Sequence, residues 1–188
     1  SPAPVAPPAG AITLLGRDIT QAQGKTLQAA RKDLQIVFQD PLASLDPRMA
    51  VGESIAEPLR VHRPQLSRAE RTDLARVMMA EVGLDPNLLN RYPHELSGGQ
   101  NQRVGIARAM ILHPALVICD EAVSALDVSV RAQIIDLLID LQTRLGMSML
   151  FISHDLAVVR EISHRVMVLY MGRAMEAASR EQIYVHPR

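Results

Sequence analysis

The spacing of apolar and polar positions changes several times along the chain, and each change predicts an element. Residues 11–15 are a short apolar run closed by Gly16-Arg17-Asp18, which predicts a strand entering a turn. Residues 34–38 (LQIVF) predict a second strand, broken by Gln39-Asp40-Pro41, and Asp46-Pro47 marks a further loop. Residues 51–112 read as helical. Within them Ser67 and Glu70 stand three apart, the spacing of a capping box. The helix they open carries Leu74, Val77, Met78 and Val82, and Gly83 stops it. Ser97 opens another helix, which runs through Val104, Ile106, Ala109 and Met110 to Pro114.

Beyond Pro114 the period is no longer helical. Leu116-Val117-Ile118-Cys119 is unbroken apolar sequence, as expected of a strand buried on both faces. A long helix follows with Ile134, Ile135, Leu138, Leu141 and Leu145 on one side, and Gly146 ends it. Residues 149–152 form a strand and 155–162 a short helix. Residues 166–170 and 173–176 read as a hairpin about Met171-Gly172. Apolar strands alternating with helices predict an α/β fold with a parallel sheet. No internal repeat is visible.

Composition narrows the function classes. The chain has 188 residues, 48% of them hydrophobic and 21% charged, which suits one folded domain and argues against disorder. Lys+Arg and Asp+Glu are both 20, giving zero formal net charge, and only 3% of residues are aromatic. Such a chain is a poor candidate for gripping nucleic acid by charge and stacking, so no nucleic-acid partner is expected. The single cysteine, Cys119, forbids an intrachain disulfide and a cysteine-rich metal site. The apolar runs are too short for a bilayer, so no direct membrane insertion is expected. The first ten residues, SPAPVAPPAG, read as a linker or a cut end.

Three segments carry candidate chemistry. In residues 96–103 Ser97 is a good N-cap, and Gly98 and Gly99 leave the amides of the first helical turn uncovered, with Gln100 next. Free N–H groups, a helix dipole and a hydroxyl suit a phosphate; the bland reading is an ordinary capped helix. At the end of the 116–119 strand stand Asp120 and Glu121. One carboxylate there can hold Mg²⁺ and the next can deprotonate water, or the pair can merely cap the next helix. His154, at the end of another strand, can reach the same crevice and sense a phosphate, or serve as a loop residue.

Order turns these fragments into a pattern. Gln39 follows a strand, then comes LSGGQ, then a strand ending Asp120-Glu121, then Ser124-Ala125-Leu126-Asp127, then a strand ending Ser153-His154-Asp155. In this order the sequence resembles the ATPase subunit of ABC transporters, over nearly its whole length from about residue 10. Residues 38–48 and 120–129 look most like the dipeptide/oligopeptide importer branch, and 38–48 disagree with a soluble DNA-repair or translation ATPase of the same type.

The resemblance implies a P-loop NTPase-like ABC ATPase core, an α/β fold with a parallel sheet plus a helical subdomain, N-terminally truncated. Residues 11–188 would be a partial ATPase domain, with about 51–110 as the helical signature subdomain that docks on permease subunits and about 111–188 as core. By the same resemblance Gln39 is the Q-loop glutamine near Mg²⁺ and the attacking water. Ser97, Gly98, Gly99 and Gln100 form the signature that closes over the γ-phosphate of ATP on the opposite subunit. Asp120 is the Mg²⁺ aspartate, Glu121 the general base, Asp127 a D-loop residue at the dimer interface and His154 the switch histidine. ATP and Mg²⁺ are the implied ligands. The implied partners are a second ATPase subunit, head to tail, and transmembrane permease subunits. The implied place is peripheral, on the cytoplasmic face of the inner membrane.

Two residues depart from the branch: Asn101 stands where relatives usually carry a basic residue, and Ala122 where they carry Pro, which loosens the turn after Glu121. A larger departure concerns the phosphate loop, G-x-x-x-x-G-K-S/T. Gly24-Lys25-Thr26 has Ile19 where the first glycine would be, and it reads as a surface loop. The resemblance places the phosphate loop upstream. The expectations are therefore a parent ATPase, or a truncated or degenerate module that supplies only the signature face and the docking surface. Exposed apolar faces and marginal stability, or association, are expected of the isolated chain.

Overall fold

The computed structural model describes residues 10–185. The linker assigned to residues 1–10 lies almost wholly outside that range, as does the end of the chain from 186.

The chain begins with a small antiparallel ribbon, β1 (Thr13–Leu14) and β2 (Arg17–Asp18), shorter than the strand expected over 11–15. Helix α1 (Gly24–Asp33) follows, so Gly24-Lys25-Thr26 is the first turn of a helix rather than a surface loop. No carboxylate or side-chain cap announces that helix, which is why its start is hard to read in the sequence. Next come β3 (Leu34–Val37) and the short helix α2 (Pro41–Ser44), set by the Asp40 cap and by Pro41 in its first turn.

Residues 51–110 are helical but interrupted. Helix α3 (Val51–His62) and helix α4 (Arg68–Glu81) are followed by helix α5 (Gly98–Met110), with two short 3-10 turns at 86–90 and 93–95 between α4 and α5. The Ser67–Glu70 capping box forms in both directions. Gly83 at φ +71 lets Leu84 N–H close back on Met79 O at 2.8 Å, which stops α4. Ile55, Leu59, Met79, Ile106 and Met110, all fully buried, fill the space between these helices.

The remaining chain alternates strand and helix. It runs β4 (Leu116–Asp120), α6 (Val128–Leu145), β5 (Ser148–Ile152), α7 (Leu156–Ile162), then the hairpin β6 (Arg165–Tyr170) and β7 (Arg173–Ser179), and last α8 (Arg180–Val185). Met171 and Gly172, both at positive φ, make the hairpin turn as expected. Helix α8 has no counterpart in the sequence reading.

Strands β3, β4 and β5 form a parallel sheet in that order, with Val37, Cys119 and Phe151 in register. One face is covered: Val37, Val117 and Cys119 are buried, together with Ile134, Leu138 and Leu141 of α6. The other face is open. Ile36 is 40% exposed, Leu150 51% and Ile152 45%, with Ile118 half-buried between them. The expectation that β4 is buried on both faces is therefore corrected: the strand is apolar throughout, yet nothing among the described residues covers its second face. The apolar exposure expected of this chain is present here.

Candidate functional site

Parallel strands put their carboxyl ends on one edge of a sheet, and here that edge collects the predicted chemistry. Gln39 follows β3 by two residues, Asp120 ends β4 with Glu121 next, and His154 follows β5 by two residues. The structure brings Glu121 and His154 together. His154 Nδ1 lies 3.1 Å from Glu121 Oε1, and a carboxylate only accepts, so Nδ1 carries the proton. The carboxylate is about one-third exposed (31%) and the imidazole mostly so (74%), which leaves Nε2 free toward solvent.

Glu121 is held by its backbone. Its N–H donates to Ile152 O at 3.0 Å, which docks it on β5, and its φ is +48. That left-handed conformation costs a non-glycine residue on the order of 1 kcal/mol, so packing must impose it. The turn that follows is closed by Ser124, whose N–H and hydroxyl both donate to Glu121 O at 3.0 and 2.9 Å. Ala122, expected to loosen this turn, is buried within it at 1% exposure. The Asp120 side chain is exposed and, like that of Gln39, makes no hydrogen bond or ion pair among the described residues.

Asp127 caps α6. Its Oδ1 accepts from Val130 N–H at 2.9 Å and from the Ser129 hydroxyl at 3.0 Å, and these bonds hold its carboxyl below the usual Asp range. Arg131, one turn later, donates to Asp155 Oδ2 at 3.0 Å and to Leu126 O at 3.3 Å. Asp155 in turn caps α7 through Ala157 N–H. Arg131 thus ties the loop before α6 to the loop of His154. Nothing in the sequence of an arginine inside an amphipathic helix announces a loop on another strand.

Ser97 to Gln100 form the start of α5. The Ser97 hydroxyl accepts from Gln100 N–H at 3.2 Å, and Gln100 Oε1 accepts from Ser97 N–H at 2.9 Å. The Gln100 side chain is thereby committed to the turn, while the amides of Gly98 and Gly99 and the Ser97 hydroxyl proton stay available to a ligand. A Cβ at Gly98 would meet nothing within 4 Å, whereas one at Gly99 would stand 2.7 Å from Val130 Cγ1. Gly99 therefore lets α5 approach the first turn of α6. No hydrogen bond among the described residues joins this segment to Glu121 or His154.

Asn101 now has an account. It is 1% exposed, and its Nδ2 donates to Pro93 O at 2.9 Å and Leu96 O at 3.4 Å, which fastens the approach to Ser97. Gly24-Lys25-Thr26 lies away from this architecture in kind: it opens α1 behind an antiparallel ribbon rather than behind a buried parallel strand.

A protein-family model described as ABC transporter matches residues 4–124. The oligopeptide transport ATP-binding protein OppF of Salmonella typhimurium is 55% identical over 178 residues, 95% of this chain and 53% of the relative. OppF of Haemophilus influenzae is 56% identical over 93% of this chain and 53% of its own. The glutathione import ATP-binding protein GsiA of Pectobacterium atrosepticum is 54% identical over 95% of this chain and 29% of its own. The chain thus spans about half the length, or less, of these curated relatives. Among solved structures, a dimeric post-hydrolysis state of an ATP-binding cassette bound to ADP and Pi is similar at a TM-score of 0.77 and 28% identity, covering 88% of this chain and 71% of that one. The fold, the order of its motifs and these likenesses agree that the chain belongs to the ABC transporter family.

Proposed function

We propose that this chain is part of the ATP-hydrolysing subunit of an importer, of di- or oligopeptides, and that the edge of the β3–β4–β5 sheet is its hydrolytic side. The observation that carries the reading is the Glu121–His154 contact at 3.1 Å, set beside Asp120 and Gln39 on neighbouring strand ends. The relatives named for oligopeptide transport support the peptide class.

In this reading Glu121 is the general base. It takes the proton of a water that attacks the γ-phosphate in line, while His154 orients the carboxylate through Nδ1 and faces the phosphate with Nε2. Donating to both at once takes the imidazolium form. Mg²⁺ fits the donor set: Asp120 is an exposed, unpartnered carboxylate, a hard oxygen ligand of the kind Mg²⁺ takes beside phosphates and water, and Gln39 adds an amide oxygen. When bound, the ion neutralises charge developing on the phosphate oxygens. The phosphate cradle itself is assigned to no residue of this chain.

Ser97, Gly98 and Gly99 would meet the γ-phosphate held by a second ATPase subunit, with Gln100 holding their turn and Asp127 lying at that head-to-tail interface. The dimeric state of the similar cassette structure supports such an arrangement. Residues 51–110 would dock on transmembrane permease subunits, peripherally, on the cytoplasmic face of the membrane. No helix among the described residues is long and apolar enough to cross a membrane.

The test is ATP turnover with Mg²⁺ in the protein assembled with its partner subunits. Glu121→Gln is expected to abolish turnover while nucleotide binding persists, and undiminished turnover refutes the reading. A second reading, a non-hydrolytic module that offers only the signature and docking faces, draws on the placement of Gly24-Lys25-Thr26. It predicts no effect of Glu121→Gln and loss of the partner's turnover on Ser97 replacement.

A further inference from the structure

The segment around Gln39 is held at both ends by the helix that carries the signature. Gln102 lies one turn into α5, at 1% exposure, and its Nε2 donates to Phe38 O at 3.4 Å. Arg108, further along the same helix, donates from Nη1 to Ser44 O at 2.7 Å. Phe38 immediately precedes Gln39, and Ser44 ends α2. Between these two points Asp40 accepts from Leu42 and Ala43 N–H, so the intervening backbone has its own fixed shape. The Gln39 side chain, by contrast, is exposed and uncommitted among the described residues.

These are costly residues to place in an interior. The Gln102 amide oxygen is buried with no partner, and burial pulls Arg108 down from its ordinary pKa. Apolar side chains of similar length would fill the same volume without stranding polar atoms. What apolar residues cannot do is hold two backbone carbonyls in a segment that has no strand partner at that point. At the start of α5, next to Gln102, the Ser97–Gln100 box fixes the signature turn, and Asn101 fastens the residues leading into it.

We propose that Gln102 and Arg108 are positioning residues that lock the Gln39 segment onto the signature helix, so that Gln39 and Ser97 move as one body. The consequence for function rests on the reading that both residues serve the nucleotide site. A displacement at either one is then delivered to the other without any bond between them, because α5 is stiff over its length.

The experiment uses the assembled protein with Gln102→Met, which keeps length and removes the donor, Arg108→Met, which keeps an unbranched stem and removes the donor, and Arg108→Lys, which keeps a charged donor. Hydrogen exchange of the peptide spanning 38–45 is expected to rise about tenfold in the Met variants, with peptides from α3 and α6 unchanged and Arg108→Lys between. ATP kcat is expected to fall about tenfold or more at an unchanged KM for ATP, as for a misplaced catalytic group. Unchanged exchange at 38–45 overturns the clamp, and so does a uniform rise across the protein. Raised exchange with unaltered kcat overturns the coupling. The exchange result stands apart from hydrolysis, so failure of the nucleotide reading, shown by Glu121→Gln, is distinguishable. Where a Met variant does not fold, Arg108→Lys decides on the same readouts.

Discussion

His154 Nδ1 stands 3.1 Å from Glu121 Oε1, across the boundary between two neighbouring parallel strands. Each residue lies just past its own strand end, so the contact depends on strand register and not on either loop alone. If Glu121 is the base proposed above, Glu121→Gln should cost the assembled protein about 10²–10⁴-fold in kcat, the range of general base catalysis. His154→Ala should lower kcat less than Glu121→Gln, because it disturbs the carboxylate without deleting it. Steady-state ATPase assays on the two variants and the double variant check this, and strongly non-additive losses are expected.

Gly98 and Gly99 should part company under the same substitution. Gly99→Ala brings a Cβ to 2.7 Å from Val130 Cγ1, and the strain of such overpacking is about 1–3 kcal/mol. Gly98→Ala meets open space and should leave the melting temperature within a degree or two of wild type. Thermal melts of both variants, with Gly99→Ala/Val130→Ala as a relief variant, decide it.

Asn101→Ala removes the donor to Pro93 O and Leu96 O from a buried position. Pro93 O keeps the Leu96 N–H at 3.2 Å, so the cost is that of the lost hydrogen bonds, about 0.5–1.5 kcal/mol each, and it should appear in urea unfolding without a change in slope. The Ser97–Gln100 box makes none of these bonds, so Ser97→Ala should be milder, near the cost of a lost helix cap.

Acid should weaken the start of α6. The Val130 N–H and the Ser129 hydroxyl hold the Asp127 carboxyl below its ordinary value. The Ser67 hydroxyl and its N–H do the same for Glu70 at the start of α4. A depressed carboxyl contributes stability that is fully present above its unfolded value and is lost as pH falls through its folded value. The melting temperature should therefore fall below about pH 4, and less steeply in Asp127→Asn, which still caps but does not titrate.

Much of this was legible beforehand because local chemistry decides it. Ser67, Ser97 and Asp127 announce helices through capping, and Gly83 and Gly146 stop them through left-handed φ. Strands β3, β4, β5 and β6 were legible from apolar runs, and Glu121 and His154 from the order of the motifs around them. Helix α8 was not, and three further features were not. Helix α1 begins at Gly24 with no cap, so its sequence looks like a loop. The burial of β4 depends on what covers a face, which an apolar run does not state. Gln102, Arg108 and Arg131 act on carbonyls or carboxylates far along the chain, through contacts that leave no periodic signal.

Cys119 gives a simple probe of the covered sheet face. Burial raises its thiol to about 12, so it should stay unreactive toward thiol reagents in the native state at neutral pH. Reaction at the rate of an exposed thiol would contradict the covering of that face of β4.

Glu121 occupies the left-handed region at φ +48, where a shorter polar residue or glycine would sit at ease. In the proposed reading, stability and catalysis therefore pull in opposite directions at one position. Glu121→Gly or Glu121→Asn should give a protein that melts higher and hydrolyses nothing, and an inactive descendant of this chain, freed from selection for turnover, would be expected to drift toward one of them.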